Sequence, residues 1–259
     1  MESPSQSIGS AIAPAHSKPI RIAAIGDIHC TERSFSQMKH LFSGVHERAE
    51  VLILCGDITD NGRTTEMEVF LAALKPALQK GVVVLSVLGN HDFHSGKERQ
   101  LVQLMQEAGV RVFFGDDNLF VYNDQVGFVG VKGFWGGFNP NVISAFGEEE
   151  GKAVMRETAE DVRRMAKGLR SLNTPLKVAI MHYSPIKDTL KGESPELYGV
   201  LGAEWLARPL DEEGATVCFH GHSHRGSYNG LTRKGIPVYN VSAPVLRRAG
   251  LQLPSIHLV

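Results

Sequence analysis

The sequence predicts a mixed α/β fold with two mixed β-sheets flanked by helices. Two observations carry that expectation. From residue 19 onward, short and almost continuously apolar runs alternate with longer amphipathic stretches, the rhythm of parallel strands joined by crossover helices. In the middle of the chain the rhythm changes, and short strands separated by Gly, Asn and Asp clusters read as antiparallel hairpins.

In order, the first strands are "IRIAAIG" (20–26), "VLILCG" (51–56) and "VVVLSVLG" (82–89). Their lack of polar alternation marks strands buried on both faces. Helices at 34–48 and 64–80 join them, and a third comes at 97–108. Thr64 or Thr65 with Glu68 resembles a capping box at the start of the second. Segments near 111–114 and 119–131 carry the turn signals "GDDN" and "NDQVG" and are expected to form hairpins. The Gly-rich "GFWGGFNP" precedes a helix over 148–171, where Val154, Val162, Met165, Leu169 and Leu172 recur near helical spacing. A strand "LKVAIM" (176–181), a helix near 202–210 and the strand "ATVCFH" come next. Strands near 225–229 and 236–241 are expected to close the fold. With no repeat or linker, residues 19–259 read as one domain. Residues 1–18 are rich in Ser, Ala and Pro and lack the basic and apolar segments of a secretory signal, so a flexible tail is expected there.

Composition narrows the function. Hydrophobic residues make up 42% of the 259 and charged residues 21%, ordinary for a soluble globular protein with a sizeable core. A formal net charge of -1 gives no basic footprint for a polynucleotide groove or an anionic membrane. No apolar run approaches the roughly 20 residues of a membrane span. Three widely spaced cysteines (Cys30, Cys55, Cys218) suggest no disulfide framework and fit a reducing compartment, so a cytoplasmic location is expected.

The chemistry-bearing residues cluster just past the strand ends. After the first strand comes "GDIHC", with Asp27 and His29; after the second "GDITD", with Asp57 and Asp60; after the third "GNHD", with Asn90, His91 and Asp92. His182 comes after "LKVAIM", and "HGHSH" ends the strand at 215–220. Carboxyl ends of parallel strands share one edge of a sheet, so these groups can converge. Each motif alone has a bland reading: Gly-Asp is usually a turn, Asn in "GNHD" fits a left-handed turn position, and a single histidine at a strand end is usually satisfied in place. Their joint occurrence, each after a strand, is what points to a site. Asp, His and Asn donors in this number suit two metal ions rather than one tetrahedral site. Imidazole with carboxylate and amide oxygen favours Mn²⁺, Fe or Zn²⁺, and the lack of thiolate argues against a structural zinc. No G-x-S-x-G elbow supports a serine nucleophile, and "GNHDFHSGK" does not meet the P-loop pattern.

This ordered set, D-x-H, G-D-x-x-D, G-N-H-D, His and G-H-x-H, resembles the calcineurin-like metallophosphoesterase superfamily over about residues 20–242. The resemblance implies a four-layer sandwich, two mixed sheets packed together with helices outside. It implies that Asp27, His29 and His224 hold one metal, that Asn90, His182 and His222 hold a second, and that Asp57 bridges them. It further implies that His91 sits over the phosphate as acid or charge stabiliser, with Asp92 orienting its imidazole, and that Asp60 supports from outside the ligand set or caps a helix. His220, still on its strand, is expected to be packed or to support the ligands, with Gly221 letting the chain turn. The mechanism the resemblance implies is metal-assisted hydrolysis, in which the ions would supply a hydroxide to attack phosphorus in line with the leaving oxygen.

Specificity is less determined by the sequence. His94 and Trp135 are candidate substrate contacts, against an exposed loop histidine and a hydrophobic plug respectively. "HYSPI", "KGE" and "NVSAPVLRR" have no assigned role, and Arg247 with Arg248 reads as a phosphate binder or a solvated strand edge. The expected activity is phosphodiester hydrolysis of a small, nucleotide-type molecule, with a phosphomonoesterase and a nuclease as rivals, the nuclease disfavoured by charge. A catalytically silent scaffold for protein partners is the contrasting class. Neither nucleic acid nor membrane is an expected partner, and the oligomeric state is left open.

Overall fold

The computed structural model describes residues 19–259, and the tail expected over 1–18 lies outside the described residues. The N-terminal half follows the predicted alternation: β1 (Arg21–Ile25), α1 (Phe35–Phe42), α2 (Val45–Arg48), β2 (Val51–Cys55), α3 (Thr64–Gln79), β3 (Val83–Val87) and α4 (Glu98–Glu107). The helix expected over 34–48 is two helices, because Gly44 sits between them in the left-handed region at φ 66°. The capping interaction of α3 also differs from expectation. The buried Glu66 carboxylate, not Glu68, accepts the N–H groups of Asn61 (2.9 Å) and Arg63 (3.2 Å).

The short β4 (Arg111–Val112) is a correction: it pairs parallel with β3 rather than forming a hairpin. The hairpin expectation holds further on, where β5 (Leu119–Tyr122) pairs antiparallel with β6 (Val126–Gly130). A small ribbon, β7 (Gly137–Phe138) with β8 (Asn141–Val142), precedes the long α5 (Glu149–Ser171). Then come β9 (Leu176–Ile180), α6 (Tyr198–Leu201), α7 (Ala207–Glu213), β10 (Val217–His220), β11 (Asn229–Leu231) and β12 (Pro237–Asn240). The chain closes with α8 (Ala243–Arg248) and β13 (Ser255–Leu258), neither expected from sequence.

Two mixed sheets result. The first has the order β13-β1-β2-β3-β4 with β13 as its antiparallel edge, and the second the order β11-β12-β10-β9-β6-β5 with antiparallel strands at both ends. The sheets pack face to face. In β9, Val178 and Ile180 join the core shared with β1 to β3, whereas Ala179, and Met181 just past the strand, join the outer core under α5 and α7. β10 alternates likewise, with Val217 and Phe219 inward and Cys218 outward. Strands of the first sheet are apolar on both sides because α1, α3 and α4 cover the far face: β2 is buried at all five positions, and Phe42 meets Phe70 edge-on at 5.6 Å. In α5 the buried apolar residues are Met155, Met165 and Leu169, while Val154 and Val162 are only half-buried. All three cysteines are free and buried, and among the described residues no helix is long and apolar enough to cross a membrane.

Candidate metal centre

Five parallel strands end at one edge of this sandwich: β1, β2 and β3 of the first sheet, β9 and β10 of the second. The sequence predicts a single shared sheet edge. The structure distributes the strands over two sheets stitched together there, with Gly26 N–H donating to Val241 and Ala243 N–H to Gly26. The turns are strained. Asp27, His29, Asp57 and His222 all have positive φ (55°, 50°, 49° and 66°), a conformation that costs a non-glycine residue roughly 1–3 kcal/mol. Backbone bonds hold it: Asp27 N–H donates to Gly56, and those of Ile28 and His29 donate to Asp57, each at 3.0 Å.

The strain brings seven donors together. Asp27, His29, Asp57 and His224 each place a ligand atom within 4.8 Å of the others', and Asp57, His182 and His222 do the same. Asp57 is common to both groups. Asn90 joins the second, its Oδ1 lying 2.9 Å from His182 Nε2.

The chemistry of the donors fits cations. His182 is fully buried, which lowers its pKa well below the usual value and keeps the ring neutral. Its Nδ1–H donates to the Cys55 carbonyl at 2.8 Å, so Nε2 carries a lone pair. That lone pair faces the oxygens of Asn90 and Asp57, and acceptors facing one another need a positive charge between them. Both ring nitrogens of His29 are buried without a hydrogen-bond partner. His222 donates Nε2–H to the Val200 carbonyl at 3.2 Å, leaving Nδ1 free, and burial pushes it down to about 3. Asp27 and Asp57 are 3% and 1% exposed, and their ion pairs among the described residues are with histidines only. Burial, with Asp27 and Asp92 nearby, pushes Asp57 up to about 9, the mark of a carboxylate site short of positive charge.

His91 lies against this cluster, its ring 4.4 Å edge-on from that of His29. Its N–H donates to Asp57 Oδ1 at 2.8 Å, and its Nδ1–H donates to the carbonyl of Asp60 at 2.7 Å. The expected orienting role of Asp92 is therefore corrected. The buried Asp92 carboxylate accepts the N–H groups of Ile58, Thr59 and Gly89 and the Thr59 hydroxyl, tying the β2 and β3 loops together. Its four bonds leave it no link to the imidazole, which Asp60 positions instead. Asp60 also faces His29, with Oδ1 3.4 Å from Nδ1.

The "HGHSH" histidines separate as expected in part. His220 is fully buried and bonded at both nitrogens, to the Gly221 carbonyl (2.8 Å) and Thr189 Oγ1 (2.9 Å), so it ties the loop after His182 to β10. The turn itself is at His222, not Gly221. Gly221 is needed for close approach, since a Cβ there would overlap the Asp27 carboxylate, whose oxygens accept the His222 N–H at 2.9 and 3.0 Å. His224 donates Nε2–H to Asp27 Oδ1 at 2.9 Å, which raises its pKa.

The sequence does not show that several residues support this site. Glu193 of "KGE" accepts the Arg225 N–H at 2.6 Å and the Ser223 hydroxyl at 3.3 Å. Arg248, on α8 and not a strand edge, donates to the carbonyls of His224 (2.6 Å) and Gly226 (3.2 Å). Asn240 Nδ2 donates to the Ser223 carbonyl at 2.7 Å. His94 is exposed at the end of the His91–Phe93 turn. Trp135 takes the packing alternative: it stacks on Phe134 with ring centres 5.1 Å apart and packs against the outer core.

The family model for calcineurin-like phosphoesterases matches residues 20–226. The chain belongs to that family. It is accordingly a phosphoester hydrolase of a metal-dependent class, with an Asp/His set able to hold the ions. Among solved structures it is similar to phosphopantetheinyl hydrolase from Mycobacterium tuberculosis, with a TM-score of 0.66, 18% identity, and 95% of this chain and 97% of that one covered. A Thermus thermophilus protein is similar at 0.56 and 12% identity, over 93% and 98% of the two chains. The anchor of the inner membrane complex of Plasmodium is similar at 0.52 and 12%, over 88% and 73%. At these identities the likeness is one of fold. No curated protein matches the chain in sequence.

Proposed function

We propose that this phosphoesterase is a binuclear phosphodiesterase acting on a small, nucleotide-type phosphoester. The observation that carries the binuclear reading is the sharing of Asp57 between two groups of donors. One ion falls to Asp27, His29 and His224, the second to Asn90, His182 and His222, with Asp57 between. Mn²⁺ and Fe suit these N and O donors, with Zn²⁺ as a further choice. When bound, the ions supply a nucleophilic hydroxide near neutral pH and charge to offset that on the phosphoryl oxygens.

The chain's own residues do the rest. Because the Asp60 carbonyl holds Nδ1–H of His91, Nε2 is the atom left to pass a proton to the leaving oxygen. The imidazole edge against His29 keeps that proton beside the donors. Asp57 accepts the His91 N–H, so the same carboxylate that faces the ions fixes the start of the His91 turn. The near-neutral chain charge supports a small substrate over a polynucleotide.

The test is a substrate panel on protein reconstituted with Mn²⁺: cyclic nucleotides, dinucleoside polyphosphates, an activated diester, an activated monoester and a phosphopantetheinyl ester. Turnover of diesters well above monoesters is the expected result. Preference for the monoester would overturn the diesterase reading, and metal-loaded protein inert on all of them would favour a silent scaffold.

A further inference from the structure

Lys132 stands beside the metal centre without belonging to it. It comes just after β6, and its carbonyl accepts the N–H groups of both His182 (3.0 Å) and Tyr183 (3.1 Å). Its ammonium lies over the rings of Phe134 (4.1 Å), Tyr183 (5.3 Å) and Phe93 (5.6 Å). Phe93 ends the turn that begins at His91, and the Tyr183 ring lies 4.2 Å from that of His222. The cation is thus placed between the loop carrying the catalytic histidine and the loop carrying a metal donor.

Its charge is not used up by the fold. Of three donors, one bond is made, to the Gly133 carbonyl at 3.0 Å, and Lys132 forms no ion pair among the described residues. Asp161, the carboxylate that acts on it most, already accepts the Gly133 N–H (2.8 Å) and pairs with Arg164 (3.2 Å). Glu157, also facing it, is exposed on α5. Lys132 opens on a cavity of about 310 Å³ bordered by Phe93, Arg99, Phe114, Glu157, Asp161 and Arg164. Arg99 is exposed and likewise without an ion pair among the described residues; with Asp161 paired to Arg164, the cavity keeps two unpaired cations, Lys132 and Arg99, against one unpaired carboxylate, Glu157. Its volume suits a phosphoryl group with part of the molecule that bears it.

The geometry points to Lys132 and this cavity as a site that reads a second phosphoryl group on the substrate. The substrate class becomes a phosphoester carrying a further phosphate away from the scissile bond. The inference rests on the hydrolase reading above and gives its specificity a residue. A spare ammonium at the lip of a partly apolar cavity makes charge-assisted hydrogen bonds to such a group, and the aromatic faces keep it pre-positioned.

The test compares thymidine 5′-(p-nitrophenyl phosphate) with the same diester bearing a 3′-phosphate, on wild type and Lys132→Met. Wild type is expected to prefer the phosphorylated diester. The variant should raise KM for it about tenfold to a hundredfold, leaving KM for the plain diester within about twofold, since a hydrogen bond to a charged group has that worth. Lys132→Arg should restore much of the preference. Equal losses on both substrates, or no preference in wild type, would overturn the inference and make Lys132 a structural counter-charge to Asp161. Lys132→Gln serves where the methionine variant does not fold. A second readout is binding of inorganic pyrophosphate to EDTA-treated protein, which the variant should weaken by about tenfold. Wild type inert on both diesters would sink the diesterase reading alone, and unchanged pyrophosphate binding would sink the Lys132 inference alone.

Discussion

Asp57 is 1% exposed, sits at φ 49° and has burial and three other carboxylates pushing it up to about 9. Such a residue weakens the fold unless a cation compensates it. Asp57→Asn should therefore lower metal content from two ions per chain to below one, measured by elemental analysis after gel filtration, while metal-free protein melts no lower than wild type. A large fall in metal-free stability would show that Asp57 serves the fold rather than the ions. His91→Ala separates the other role. Its ring groups with His29 and Asp60 but lies outside both donor groups that share Asp57, so the variant should keep both ions yet lose about 10²–10⁴-fold in kcat, less for p-nitrophenyl leaving groups that need no proton. A variant that emptied the site would reassign His91 to the ligands.

Among elements, the loop His222–Gly226 depends on parts far off in sequence. Arg248 of α8 grips two carbonyls of this turn and Glu193 two of its donors. Arg248→Ala should weaken the ion on the His224 side about tenfold to a hundredfold, the usual cost of losing support behind a ligand, in a Mn²⁺ titration. This is why the sequence shows the candidate donors but not their supports. Asp27, His29, Asp57 and Asn90 lie directly after strong strands, so local pattern suffices to place them. Nothing local ties "KGE" or "VLRR" to "HGHSH", and β4 and β13 are too short to reveal their partners. β13 carries a second consequence. His257 packs between Phe219 (4.7 Å) and Tyr239 (4.7 Å), and burial pushes it down to about 4. The unfolded chain binds that proton near pH 6.5 and the folded one does not, so stability is full above pH 6.5 and falls as pH drops toward 4. His257→Phe should make that slope in urea titrations between pH 7 and 4.5 shallower by up to one proton's contribution, the rest belonging to the buried His182, His220 and His222, and an unchanged slope would leave no acid sensitivity to His257.

The molecule as a whole joins two sheets through this edge. Asp27, His29, Asp57 and Asn90 come after strands of the first, while His182, His222 and His224 come after strands of the second. The sheets already share a core in which Ile22 and Leu54 join Phe128 and Phe219, so apolar packing brings the edges together and leaves the carboxylates crowded. Ions that bind only when both sheets are in place stabilise the folded chain by mass action, by about 2.7 kcal/mol per site at a hundredfold excess over Kd. For a chain of this size that is about 5–10 °C per site in Tm. Mn²⁺ added to EDTA-treated wild type should raise Tm by that amount for each site filled, and Asp57→Asn should lose most of the rise. Equal shifts in both proteins would mean that the ions bind away from the joined edge. A shift in wild type alone would show that the residues held ready for phosphate chemistry also clamp the sandwich.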